Sequence, residues 1–383
     1  MLQLRPEPRS FLVRTLLVAG LCFLGVWKAL GLPRGFWPQP MRGILRNWTW
    51  GMFGVVIGSW VTRAYIDQPC TLKEPSPMAA RAEVAPEYRL TPEDLESFYD
   101  NGYLGPYPAF TSQEVQDLAD SLLLRRKAPN YVYGIATDRD LHFEDDKLLR
   151  FLSHAAILER AAQLLGPDLA CWRSQVFLKE AGGEAIQWHQ ASTYMMEDYQ
   201  EPALLPPDRN RLFQLTVWIA LDPATKANGC MQVIAGTHRR IRTIRFGGRN
   251  GFYKVNFNLE FSEDPQSAVS LEVPAGHFIL FSERVIHGSG PNHSMQRRMA
   301  VNFRLIPPSV KVYPDQTVHL AMHMGQEYPL DRWALLMLRG EDRFGLNPVL
   351  RLKPLPPAVR SMDPIGDAVD SETFTEQVKS CAS

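Results

Sequence analysis

The stretch WHQASTY, residues 188–194, places a histidine at 189 and an alanine at 191. A histidine followed two positions later by a carboxylate, together with a second histidine, holds Fe(II) and leaves positions open for oxygen chemistry. Ala191 donates nothing to a metal, so the local pattern lacks its third ligand. A second histidine in informative surroundings, His287, closes the run HFILFSERVI and enters HGSGPNH, where Gly288 and Gly290 let the backbone turn close to a ligand. Arg298 follows, and on a strand over 298–304 a period of two sets Arg298, Ala300, Asn302 and Arg304 on one face. Met299, Val301 and Phe303 take the other face. Two arginines pointing the same way from a buried strand require an anionic partner, because guanidinium is rarely buried unpaired. A dicarboxylate fits. Taken singly the signals are weak: a lone histidine is more often a hydrogen-bonded structural residue, and Arg298 and Arg304 are equally consistent with structural salt bridges.

The elements that must position these residues fall into two kinds. Thr91 is a helix cap, Pro92 suits the first helical position, and Glu93 and Asp94 favour the positive end of the dipole. A second helix is expected over TSQEVQDLADSLLLRR, and a third over residues 148–166, closed by Gly166 and Pro167. The middle of the chain then changes to short runs rich in strand formers: CWRSQVFLK, LFQLTVWIAL, GCMQVIAG, HFILFSERVIHG and MAVNFRLI. Helices first and strands afterwards predict an α+β fold, an antiparallel sheet or barrel buttressed by helices.

The chain has 383 residues, 45% of them apolar and 21% charged, enough to bury a sizeable core. Equal numbers of basic and acidic residues, 41 each, give no support to nucleic-acid binding. Five cysteines without CxxC spacing read as ordinary thiols. Between Glu7 and Asp67 no acidic residue occurs, and the apolar run at 15–32 is about long enough to cross a bilayer. A shorter run lies between Trp48 and Trp60, with Arg34, Arg42 and Arg46 in the connection. The expectation is a membrane-associated N-terminal region over residues 1–70, with a cleaved targeting segment, interfacial helices or helices packed on the globular domain as other readings. A proline-bearing linker at 71–90, a catalytic domain at 91–330 and a C-terminal extension and tail at 331–383 complete the division.

Over roughly residues 90 to 315 the chain resembles the phytanoyl-CoA dioxygenase-like branch of the Fe(II)/2-oxoglutarate enzymes. The segments that carry the likeness are GYLGPYPAFTSQEV, WHQ, LTVWIALDPATKANGCMQVIAGTH, PAGHFILFSERVIHGSGPN and RRMAVNFR. The resemblance implies a double-stranded β-helix (jelly-roll, cupin-like) barrel, His189 and His287 as iron ligands, and Arg298 as partner of the far carboxylate of 2-oxoglutarate. The third ligand would fall on Ala191. CWRSQVFLK, WHQASTY, LTVWIALDPATKANGC and RLIPPSVKVYP are in turn similar to the syringomycin-type aliphatic halogenases, which carry HQA here and place chloride in the vacated position. That likeness implies Trp218 and Ser289 beside the cosubstrate, and Thr216, Tyr194 and Arg304 near the halide or just behind it. It implies Fe(II), 2-oxoglutarate, O2 and chloride acting together, with a chloro-iron(IV)-oxo species replacing an aliphatic C–H by C–Cl.

Two residues depart from the halogenase pattern. Glu283 precedes His287 by four residues. On one continuous strand its backbone would lie some 13 Å away, too far to ligate the metal. Met196 replaces a polar residue, which suits a more apolar channel or simple core packing. Rival readings are a hydroxylase with water in the third position, and a non-catalytic binding protein on the same fold. The substrate class stays open between a carrier-tethered acyl group, favoured by the resemblance, and a lipid or other aliphatic molecule, favoured by the apolar N-terminus. Chloride and bromide are not distinguished.

Overall fold

Local signals decide the helical half. Thr91 caps α1 (Pro92–Asn101): its hydroxyl accepts from the Asp94 amide at 3.1 Å while Asp94 accepts from the Thr91 amide at 3.0 Å, the reciprocal capping box. Gly102 closes the helix at φ 88°, a left-handed conformation that glycine adopts without strain. Thr111 and Glu114 repeat the box at the start of α2 (Ser112–Arg125). The single helix expected over 148–166 is two, α3 (Asp146–Leu152) and α4 (Ala155–Leu165). At the junction the His154 ring accepts from the Ala156 amide at 3.2 Å, and the Ser153 hydroxyl donates back to the Leu149 carbonyl at 2.9 Å. Side chains thus satisfy backbone groups that a continuous helix would have used, and the chain turns.

The computed structural model describes residues 68–69, 82–191, 203–242, 244–246, 257–259, 261–321 and 326–351. The expected membrane-associated region, most of the linker, Tyr194, Met196 and the tail lie outside the described residues. Among the described residues no helix is long and apolar enough to cross a membrane. The end of the linker is tied down: Gln163 on α4 accepts from the Leu90 amide at 2.9 Å and donates to the Tyr88 carbonyl at 3.0 Å.

Eleven strands build two sheets: β1 (Tyr103–Pro108), β2 (Leu169–Lys179), β3 (Ile186–His189), β4 (Leu215–Ala220), β5 (Met231–Ile234), β6 (Val269–Leu271), β7 (His277–Ser282), β8 (Ile286–Ser289), β9 (Arg298–Ile306), β10 (Leu335–Arg339) and β11 (Val349–Arg351). The major sheet runs β11-β10-β2-β9-β4-β7-β1 and the minor sheet β6-β5-β8-β3. All pairings in them are antiparallel except β10 with β11. This is the α+β arrangement of two antiparallel sheets expected of a double-stranded β-helix. Residues beyond 330 contribute β10 and β11, and Leu335 and Leu336 are fully buried.

The run HFILFSERVI, expected as one strand, is divided. Its first part is β7 of the major sheet and its end is β8 of the minor sheet, with a turn closed by the Val285 amide on the Ser282 carbonyl at 3.1 Å. The two faces of β9 separate as the alternation predicts. Ala300 packs inside the barrel with Trp218, Ile279 and Phe281 from the major sheet and Met231, Val233 and Leu271 from the minor sheet. Met299, Val301 and Phe303 belong instead to the cluster that includes Leu118, Leu122, Ile157 and Leu164 of the helices.

Candidate active site

β3 and β8 bring the two histidines together. His189 and His287 are direct partners in the antiparallel register, and their ring centroids lie 4.1 Å apart at 51°. Each ring is aimed by its own backbone: His189 Nδ1 lies 2.8 Å from the Gln187 carbonyl, and His287 Nδ1 lies 2.8 Å from the Val285 carbonyl. A carbonyl only accepts, so both Nδ1 atoms carry hydrogen and both lone pairs sit on Nε2. Burial pushes His189 down to about 4, with the Gln187 carbonyl opposing and Arg304 adding to the fall. Burial, the neighbouring His189 and Arg304 hold His287 well below its ordinary value. Two neutral imidazoles side by side are the state a metal takes.

Ala191 is buried two residues beyond His189. Among the described residues no group of three His, Cys, Asp or Glu stands ready to hold a metal. Glu283 does not approach as a ligand: fully buried, it accepts from Arg284 Nε at 2.9 Å. Glu283 lies in the turn between β7 and β8 and not on one continuous strand with His287, so its engagement with Arg284, and not about 13 Å of strand, keeps it from the metal. Gly288 is needed for strand pairing, since a Cβ there would stand 2.8 Å from the Ile186 carbonyl oxygen.

Gln190, between the histidine and the alanine, escaped the sequence reading. It is fully buried; its carbonyl oxygen accepts from the Arg242 amide at 2.7 Å, and its amide donates to the Arg240 carbonyl at 2.7 Å and to the Arg284 carbonyl. The middle residue of HQA therefore braces the end of β3 against two other segments. Its signal was its place in the motif, but nothing in a lone glutamine distinguishes a brace from a surface amide.

Along the interior of β9 the side chains form rows with β2 and β4. Arg304 lies between Arg173 and Thr216, Asn302 between Gln175 and Trp218, and Arg298 opposite Lys179. Arg298 is 1% exposed, its Nε has no hydrogen-bond partner, and its guanidinium carbon stands 5.6 Å from the Trp218 ring. Burial pulls it down to about 10 against the favourable Cys230 and Asp222. Lys179, also missed in the sequence, donates to Ser289 Oγ at 2.7 Å and to the Gly290 carbonyl. Burial, then Arg298, lowers Lys179 to about 8. Arg298, Lys179, Ser289 and Trp218 thus form one buried cationic end. Thr216 Oγ1, Asn302 Oδ1 and Arg304 Nε and Nη1 are buried without hydrogen-bond partners, which points to a polar ligand in this interior. The structure therefore places Arg298, Trp218 and Ser289 at one end, Thr216 beside Arg304, and Ala191 two residues beyond the His189–His287 pair, while Tyr194 lies outside the described residues.

These features fit Fe(II) and 2-oxoglutarate: two neighbouring imidazoles with Nδ1 on carbonyls have Nε2 as the ligating atom, and a buried guanidinium whose Nε lacks a partner stands opposite a lysine, a pair suited to a carboxylate. The profile of the phytanoyl-CoA dioxygenase (PhyH) family matches residues 98–300. The phytanoyl-CoA dioxygenase of Arabidopsis thaliana is 31% identical over 267 residues, covering 57% of this chain and 89% of the relative. A Stutzerimonas stutzeri protein described as a probable alpha-ketoglutarate-dependent hypophosphite dioxygenase is 25% identical over 229 residues, 54% of this chain and 75% of the relative. Among solved structures, CytC3 with Fe(II) and alpha-ketoglutarate superimposes with a TM-score of 0.55 at 24% identity, covering 69% of this chain and 94% of that one, a likeness of fold. The chain belongs to the phytanoyl-CoA dioxygenase family and is an Fe(II)/2-oxoglutarate-dependent oxidoreductase.

Proposed function

We propose that this enzyme is a halogenase that replaces an aliphatic C–H by C–Cl. The observation that carries the reading is the buried methyl of Ala191, two residues beyond a neutral metal-binding histidine, where the usual pattern has a carboxylate. Exchanging carboxylate for methyl removes one negative ligand and opens space beside the metal; a halide fills that space and restores the charge. When bound, iron and 2-oxoglutarate supply oxygen activation and the oxidising strength needed to take hydrogen from an unactivated carbon.

The protein's own groups do the placing. His189 and His287 hold the metal through Nε2, with Nδ1 fixed on the Gln187 and Val285 carbonyls. Arg298 and Lys179 take the far carboxylate of 2-oxoglutarate, with Ser289 and Trp218 beside them. Thr216 and Arg304, adjacent in the register with unsatisfied polar atoms, are the hydrogen-bond donors nearest in kind to what a halide needs. Ala191, Tyr194, Thr216 and Arg304 are the residues assigned to the halide side of the site. The position at which the substrate carbon is held then selects halogen or hydroxyl transfer, because displacements of about an ångström change such rates greatly.

The test is anaerobic reconstitution with Fe(II) and 2-oxoglutarate, followed by oxygen with and without chloride. Succinate formation that needs chloride, with a product bearing the chlorine isotope pattern, is the expected result. Chloride-indifferent turnover with oxygen in the product identifies a hydroxylase, and failure to bind iron identifies a binding protein.

A further inference from the structure

The interior of the barrel carries a second cationic cluster. Arg304 of β9 faces Arg173 of β2 across the register, and both Arg173 Nη2 (3.1 Å) and Arg139 Nη2 donate to the Tyr313 hydroxyl. All three arginines are poor in solvent contact: Arg139 is 4% exposed, Arg173 8%, and Arg304 is half-buried along a strand that is otherwise buried. Arg173 Nε and Arg304 Nε and Nη1 have no hydrogen-bond partner. Burial, then Arg173 and Arg139, drives Arg304 down to about 9.

One carboxylate lies among them, and it is already engaged. Asp140 accepts from the Ser174 amide at 2.7 Å, from Arg139 Nε at 3.2 Å and from the Tyr133 hydroxyl. Arg139 is further held by the rings of Tyr328, Tyr133 and Tyr313 at 4.2, 5.7 and 6.0 Å, where the π faces favour a cation. Among the described residues Arg173 and Arg304 have no such compensation beyond Trp172, at 4.3 and 5.9 Å. The Tyr313 oxygen accepts two N–H groups, which occupies its lone pairs and leaves its own hydrogen to donate.

The far carboxylate of the cosubstrate does not account for this charge. Arg298 and Arg304 are six positions apart on β9, about 20 Å of strand, and their side chains stand off the same face. A five-carbon diacid spans about 5 Å. The charged groups around Arg298 are Lys179 and Asp222, whereas those around Arg304 are Arg173, Arg139 and Asp140, with the His189–His287 pair beside it; the two sets share no member. A halide at the metal accounts for Arg304 but not for Arg173: Fe(II) and the 2-oxoglutarate dianion cancel, the halide's remaining charge matches Arg304, which acts on both His189 and His287, and Arg173 is left over.

We propose that Arg173, with the Tyr313 hydroxyl and Arg139 behind it and Arg304 at its edge, binds an anionic head group on the substrate, a carboxylate or a phosphate monoester. This deepens the oxygenase reading and rests on the His189–His287 pair being the reaction centre. The substrate is then an aliphatic chain carrying an anion at one end, held so that a carbon along the chain reaches the metal.

The test uses the full chain loaded with Fe(II) and 2-oxoglutarate under anaerobic conditions, titrated calorimetrically with octanoate, octyl phosphate and octanol. One or both anions bind at least tenfold more tightly than octanol, and which of them binds identifies the head group. Arg173→Met removes at least tenfold of that affinity, Arg173→Lys recovers part of it, and 2-oxoglutarate affinity in both variants matches the parent, which certifies the fold. Equal affinity for octanol and the anions overturns the proposal, as does anion affinity unchanged in Arg173→Met. Whether turnover gives chlorinated or hydroxylated product is read separately, so loss of the halogenase reading leaves this result standing and the reverse also holds.

Discussion

Arg298 and Lys179 divide the residue-scale account between what was legible and what was not. Arg298 announced itself through the alternation on β9, because a charged side chain on a face shared with Ala300 and Asn302 needs a reason. Lys179 gave no such signal: it ends a strand, and only the pairing of β2 with β9 places its ammonium opposite Arg298. Arg298→Ala raises the dissociation constant for 2-oxoglutarate at least tenfold, as expected for a buried charge pair, measured by anaerobic titration. Lys179, lowered to about 8 by burial and by Arg298, holds its proton below that pH and sheds it above. 2-Oxoglutarate affinity therefore weakens as pH rises past about 8, and Lys179→Met is weaker throughout without that dependence. A parent enzyme whose affinity is flat from pH 7 to 9 contradicts the assignment. At the other end of the site, Ala191→Asp fills the proposed halide position, and product mass spectra lose the chlorine pattern.

At the scale of elements, capping was readable and sheet switching was not. Thr-x-x-Asp and Thr-x-x-Glu at 91–94 and 111–114 are short-range devices whose partners lie within one turn, so residue order alone reveals them. Thr111→Ala costs about 1 kcal/mol in urea unfolding. The break between α3 and α4 and the passage from β7 to β8 are different in kind. Both replace regular backbone bonds by local side-chain or turn bonds, and the apolar pattern runs through them without interruption. Gln190 shows why strand ends at active sites need bracing from distant segments. Gln190→Leu removes its bonds to the Arg242 amide and to the Arg240 and Arg284 carbonyls, a loss of about 3 kcal/mol together with a fall in iron affinity on the order of tenfold. Unchanged iron affinity in that variant would show that β3 holds His189 without this brace.

For the whole molecule, helices-then-strands and the alternation in the runs were enough for an α+β barrel, since each is a property of many residues together. The strand order was not available from one dimension, nor the inclusion of residues 335–351 in the major sheet, because pairing partners lie far apart along the chain. Global stability carries a pH signature of its own. His142 is lowered to about 4 by burial against the favourable Asp140, and His238 to about 4 by burial against the Tyr99 carbonyl. Between about pH 6.5 and 4 the unfolded chain binds more protons than the folded one, so stability falls on acidification across that window. Each histidine contributes on the order of 1 kcal/mol per pH unit there. Thermal melts of the metal-free protein from pH 7 to 4.5 should show this decline, and His142→Gln should lessen its slope while His238, His189 and His287 keep the rest; a melting temperature constant over that range contradicts the buried neutral state. Anomalous diffraction identifies the occupant of the space beside Ala191 most directly. Crystals grown anaerobically with Fe(II), 2-oxoglutarate and bromide should give a bromine peak bonded to the metal, next to the alanine methyl. A carboxylate from elsewhere in the chain bound at that position, with no bromine signal, would contradict the halide assignment.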